Sequence, residues 1–162
     1  MCSSDLKVVW TKAWFNPTAE KQAAESLVSS GVDVLFSHQD SPSAGDVAKA
    51  NDIAWVGYDS DQSDAYGSVW LTAATYNWGP RYLSRVNDLK SGTWKQENYY
   101  GTIADGFTAL GPFGSRVSAE TKSAIDDELA TAKAGEAEAF GWYWGAADRK
   151  DQAGAVKITK GQ

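Results

Sequence analysis

Residues 54–62 read AWVGYDSDQ. With Ile53 in front, the apolar run Ile53-Ala54-Trp55-Val56-Gly57 passes abruptly into the polar tip Tyr58-Asp59-Ser60-Asp61-Gln62. A parallel strand buried on both faces has this profile where it emerges at its carboxyl end. Residues 8–15 (VVWTKAWF), 32–39 (VDVLFSHQ) and 69–78 (VWLTAATYNW) repeat the layout, an apolar run followed by a polar or aromatic tip. Open α/β sheets bind ligands outside the carboxyl ends of their strands, so the four tips read as one side of a ligand cleft.

The segments between these runs carry helix signals. Asn16-Pro17 supplies an N-cap and a first-turn proline after a short strand at residues 7–11. Ala19, Ala23, Ala24, Leu27 and Val28 then share one helical face that Gly31 terminates. Ser41-Pro42 restarts the pattern, with Ala44, Val47 and Ala48 as the apolar side of a short helix ending at Asn51-Asp52. The resulting β-α-β-α-β order implies right-handed crossovers and a parallel sheet flanked by helices. Residues 63–67 read as a polar loop and residues 69–75 as the next strand. Asn77 or Gly79-Pro80 opens a helix bearing Tyr82, Leu83, Val86 and Leu89 up to Gly92. The alternation then stops. Residues 99–110 suit an irregular strand closed by Gly111-Pro112, and Ser118 caps a helix with Ile125, Leu129 and Ala132 on one face, running to Gly135. Residues 140–158 hold Trp142 and Trp144 and a hairpin turning at Ala153-Gly154.

At 162 residues and 43% hydrophobic, the chain is long enough to bury one core, as one domain or one lobe. The net charge of −6, with no basic patch, disfavours nucleic acid and anionic membranes as partners. Cys2 is the only cysteine and His38 the only histidine, which nearly excludes disulfides, Cys/His zinc sites, Cys–His dyads and Ser–His–Asp triads within the chain. No apolar run is long enough to span a bilayer. The opening MCSSDL, residues 1–6, has no apolar segment before Cys2 and looks adventitious.

Asp59 and Asp61 are the sharpest chemical candidates, since positions i and i+2 at a strand end share a face and can accept hydrogen bonds from ligand hydroxyl or amino groups. The plain alternative is a turn cap. A calcium loop fits worse: Asp64 stands at its sixth position, where glycine belongs, and Trp70 at its twelfth, where an acid belongs. A glycosidase pair would need an apolar pocket around one carboxylate. Trp55 and Trp70 lie inside strands and belong to the core. Trp10, Trp14, Phe36, Tyr58 and Trp78 stand at the tips, where a ring face can stack on a planar heterocycle or a sugar, and His38 shares that rim.

Taken together, VVWTKAWFNP, DVLFSHQDSP, GYDSDQ, LTAATYNWGPRYLSRV, SGTWK, DGFTALGPFG and the closing hairpin resemble the second half of the basic membrane protein (BMP/Med) family, substrate-binding lipoproteins of ABC importers. The resemblance spans residues 7–158 and implies one α/β lobe of a type I periplasmic binding protein, with a small carboxy-terminal hairpin. It implies a non-enzymatic protein of the periplasm or cell surface that hands a small ligand to an ABC permease, with no cofactor, no metal and no membrane insertion of its own. The amino-terminal lobe and the first, central strand of the present lobe lie outside the matched part. Residues 7–11 and 32–36 are therefore expected to be direct neighbours or to flank a poorly filled gap, and the chain alone is expected to bind weakly or not at all. Members of the family bind purine nucleosides between aromatic rings, with an aspartate and a lysine on the ribose. The resemblance makes Phe36 the stacking ring and either Asp59 or Asp61 the hydroxyl acceptor. The lysine position is taken by Tyr76-Asn77-Trp78, which favours a bare nucleobase, with Trp78 as a further ring and Asn77 as an amide for base edges. The expected ligand set is thus Trp14, Phe36, His38, Tyr58, Asp59, Asp61, Asn77 and Trp78. The competing expectation is a carbohydrate-active enzyme or lectin-like module using Asp59/Asp61 and the exposed rings.

Overall fold

In the computed structural model, which describes residues 6–134, three helices and three strands alternate before a fourth strand and two longer helices complete the chain. Helix α1 spans Pro17–Ser29, β1 Val34–Phe36, α2 Ser43–Ala50, β2 Ala54–Asp59, α3 Ser63–Tyr66, β3 Trp70–Tyr76, α4 Trp78–Ser91, β4 Thr108–Leu110 and α5 Ala119–Lys133. The strands form one sheet in the order β1-β2-β3-β4, with β1, β2 and β3 parallel and β4 antiparallel to β3. The sheet is therefore mixed and flanked by helices. The hairpin expected at residues 140–158 lies outside the described residues, as does the Gly135 helix stop.

Capping explains where the first helix sits. Asn16 Oδ1 accepts the Ala19 N–H at 3.1 Å, and Glu20 Oε1 reaches back to accept the Asn16 N–H at 2.8 Å. These reciprocal bonds satisfy backbone donors that an α-helix start leaves orphaned. Gly31 (φ +86°) and Gly92 (φ +71°) adopt the left-handed conformation that stops α1 and α4, which is why glycine stands at both.

The core lies between the sheet and the α1/α2 layer. Ala24, Leu35, Val47, Ala48, Trp55, Tyr66, Val69, Trp70 and Ala73 are buried there. Trp55 and Trp70 pair across β2 and β3, and the Trp70 indole N–H donates to the Pro112 carbonyl at 2.8 Å. Gly57 leaves room for this packing: a Cβ there would stand 2.8 Å from the Trp70 ring. Among the described residues the opposite sheet face is barely covered, with Val34 45% and Phe36 63% exposed.

Several sequence expectations are corrected. Residues 7–11 form no strand, and Val8, Val9 and Trp10 are exposed. A β-branched run becomes a strand only when a neighbour takes its backbone hydrogen bonds, and among the described residues this segment joins no sheet. Residues 63–67 are not a plain loop, because α3 forms there and buries Tyr66; four residues are too few to show helical periodicity. The N-cap position of α2 is Pro42, without a side-chain bond, while the Ser41 hydroxyl just before it accepts the Ser43 N–H at a long 3.4 Å. That hydroxyl also donates to Glu20. The strand expected over 99–110 shrinks to Thr108–Leu110. The apolar face of α4 is present but not packed, with Tyr82, Leu83, Val86 and Leu89 all exposed.

Candidate functional site

Four connections meet at the carboxyl ends of the parallel strands: residues 11–16 leading into α1, 37–42 after β1, 60–62 after β2, and Asn77 between β3 and α4. Two of them are tied together. The Asp40 N–H donates to the Trp14 carbonyl at 2.9 Å, and the Thr11 hydroxyl lies 2.9 Å from Gln39 Oε1 and 3.1 Å from the Ala13 carbonyl. Below them, buried Glu20 bonds Asn16 of one connection and Ser41 of the other. Beside them lies an open hollow of about 280 Å³ lined by residues 9–14, His38 and Gln39. That volume is at the small end of ligand pockets, which run from about 300 Å³ upward.

From this cavity a chain of aromatic rings crosses the strand ends. Trp14 meets His38 at 5.8 Å between centroids, His38 meets Tyr58 at 4.3 Å, and Tyr58 meets Tyr76 at 5.9 Å, all edge-on. Tyr76 continues to Phe107 at 5.8 Å, Phe107 to Trp78 at 4.7 Å, and Trp78 stacks on Tyr82 at 5.7 Å. Tyr99 abuts Phe107 and carries the Arg81 guanidinium 4.0 Å above its ring. Each edge contact sets one ring against the π-face of the next, an arrangement that fixes ring orientation. Burial first, and then the hydrogen bond with Tyr76, push the Tyr58 hydroxyl up to about 12, so it remains a neutral donor at neutral pH. Asp105 holds the far end: its carboxylate accepts the N–H groups of Thr102 and Phe107, which keeps its pKa below the usual range.

The two aspartates part company. Ser60 N–H donates to the Tyr58 carbonyl at 2.9 Å, closing a three-residue turn about Asp59, whose φ is +71°. Such turns with a positive central φ are strained and uncommon. The turn breaks the two-residue alternation, so Asp59 and Asp61 do not share a strand face. Asp61 Oδ1 accepts the Ser63 N–H at 2.9 Å and starts α3. Asp59 is exposed and takes no hydrogen bond from the described residues. Phe36 stands apart from the ring chain, exposed on the open sheet face, while Asn77 is exposed at the start of α4 with no capping bond. Among the described residues no cluster of His, Cys, Asp and Glu could hold a metal ion.

Lys12, Gln39, Tyr76 and Phe107 belong to this rim and were not singled out from sequence. Tyr76 and Phe107 meet because β4 lies antiparallel beside β3, pairing Tyr76 with Thr108. The phenylalanine of DGFTAL was visible, but its partner depends on a pairing that no local pattern encodes.

A small parallel core with crossover helices on one side carries aromatic tips at its carboxyl ends, the place where open α/β sheets bind ligands. Residues 3–137 match the Bmp family, described as ABC transporter substrate-binding protein PnrA-like. The chain belongs to this family. It is 33% identical over 135 residues to a purine-binding protein of Brucella abortus, covering 83% of this chain and 38% of that protein. It is 30% identical over 120 residues to TsgA13 of Haloferax volcanii, named for glucose binding in an ABC transporter, covering 74% of this chain and 31% of the relative. Among solved structures, a transcriptional activator of the comK gene from Bacillus halodurans superposes with a TM-score of 0.66 at 26% identity, over 74% of this chain and 43% of that one. The chain thus spans less than half the length of the proteins it matches.

Proposed function

We propose that this chain is the ligand-gripping carboxy-terminal lobe of an extracytoplasmic ABC importer binding protein, and that its ligand is a purine base or a similarly flat heterocycle. The observation that carries the reading is the ring chain at the strand ends, which begins beside a small cavity and passes the unpartnered carboxylate of Asp59. Trp14, His38 and Tyr58 supply edges and faces to a planar ring, and Asp59 accepts from its N–H groups. Asn77 and Trp78 extend the same surface toward α4. Asp61 is committed to the turn. The purine-binding relative supports this choice of ligand. Binding would be completed by a second lobe closing over the rim, with the ligand released unchanged to a permease. No described helix is long and apolar enough to cross a membrane.

A hexose is the second reading, favoured by the glucose-binding name of TsgA13 and by the ability of the same rings to stack on a sugar. Titrations of the chain with adenine, adenosine and glucose, followed by tryptophan fluorescence, separate the two. The reading predicts quenching by adenine at millimolar concentration, adenosine no tighter than adenine, no response to glucose, and full recovery of unaltered ligand. Glucose binding without purine binding would replace it with the hexose reading.

A further inference from the structure

Lys12 is the one cation that lines the cavity. Its φ of +56° is a conformation that side-chain-bearing residues avoid, so something must hold it there. The Thr11 hydroxyl on one side and the Asp40–Trp14 backbone bond on the other anchor the short loop at both ends. No carboxylate among the described residues forms an ion pair with Lys12, although the chain carries 21 acidic residues and a net charge of −6. The neighbouring amide is already engaged: Gln39 Oε1 faces the Thr11 hydroxyl and Gln39 Nε2 donates to the His38 carbonyl at 3.1 Å. Among the side chains of the lining, the exposed Lys12 ammonium and the indole N–H groups of Trp10 and Trp14 are donors, with the His38 ring beside them.

We infer that Lys12 is a specificity-determining residue that reads an acceptor edge of the ligand, making the site select an oxopurine such as hypoxanthine over an aminopurine such as adenine. A ring carbonyl oxygen accepts a charge-assisted bond from the ammonium, whereas an exocyclic amino group sets donor against donor. Asp59, at the β2 tip, takes the ring N–H side. The inference rests on the purine reading above and deepens it.

The test compares wild type, Lys12→Met and Lys12→Arg by two-dimensional NMR of the tryptophan indole N–H groups during titration with hypoxanthine and with adenine. Wild type should bind hypoxanthine about tenfold more tightly than adenine. Lys12→Met should bring the two purines to within about twofold, and Lys12→Arg, which keeps the donor, should retain most of the preference. Unchanged indole dispersion in the free variants confirms that they are folded. Binding of both purines with a ratio that Lys12→Met does not alter overturns the role of Lys12 and leaves the purine reading standing, as does a wild-type preference for adenine. Binding of neither purine overturns both.

Discussion

Replacing Glu20 by alanine tests how the cavity walls are held. Glu20 is only 2% exposed, yet it has no cationic partner among the described residues; one carboxylate oxygen accepts the Asn16 N–H at 2.8 Å and the other accepts the Ser41 hydroxyl. Hydrogen bonds to a charged acceptor contribute about 1.5–3 kcal/mol each. Ser41 has a fallback in the Ser43 hydroxyl 3.0 Å away, whereas the Asn16 N–H has none among the described residues. Removing the carboxylate also relieves its own desolvation, which offsets part of the loss. The net expectation for Glu20→Ala is a destabilisation of about 2–3 kcal/mol, and for Glu20→Gln, which keeps one carbonyl acceptor, about 1 kcal/mol. Urea unfolding with an unchanged m-value reads both. In the alanine variant the Asp40 amide, bonded to Trp14, should also exchange faster with solvent, because the clamp beneath it is gone. A Glu20→Ala variant within about 0.5 kcal/mol of wild type, or a glutamine variant as damaged as the alanine one, would refute the reasoning.

Gly57→Ala should cost about 1–3 kcal/mol in the same assay, since its methyl group would stand 2.8 Å from the Trp70 ring in a core with no slack. Asp59→Asn should weaken purine binding with little change in stability, while Asp61→Asn should leave binding nearly intact and lower stability by about 1 kcal/mol through the Ser63 contact. Ultraviolet titration of tyrosinate should show Tyr58 and Tyr66 ionising late, because both are raised to about 12, burial being the first cause. Their folded-state values exceed the unfolded one, so the stability they confer is complete below about pH 10 and declines as the pH rises from 10 toward 12. Thermal melts across that range should fall accordingly.

The alternating core was legible because each of its strands is an apolar run with a polar tip and each of its first two helices carries a stop signal. Val34–Phe36, Ala54–Asp59 and Trp70–Tyr76 all fall within or at one residue of the runs read from sequence, and the Ser118 cap with half-buried Ile125, Leu129 and Ala132 follows its pattern. What failed depended on neighbours. Among the described residues, 7–11 have the composition of a strand but pair with none, and the α4 stripe has the spacing of a buried face but stays exposed. At the site, residue types at the tips were readable, but their division of labour was not. The turn about Asp59 separates it from Asp61, and only the fold shows which carboxylate is spent on a backbone N–H. Lys12 and Phe107 entered the rim through a backbone strain and a strand pairing that sequence spacing does not report.

The central claim, a flat heterocycle held at the carboxyl ends of the parallel strands, is tested most directly by mapping backbone and indole chemical shifts of the chain during titration with adenine. The account predicts millimolar binding, with the largest changes at Trp14, His38, Tyr58 and Asp59 and none along Ala119–Lys133. Shifts absent up to the solubility limit of adenine, or concentrated away from those tips, would contradict it.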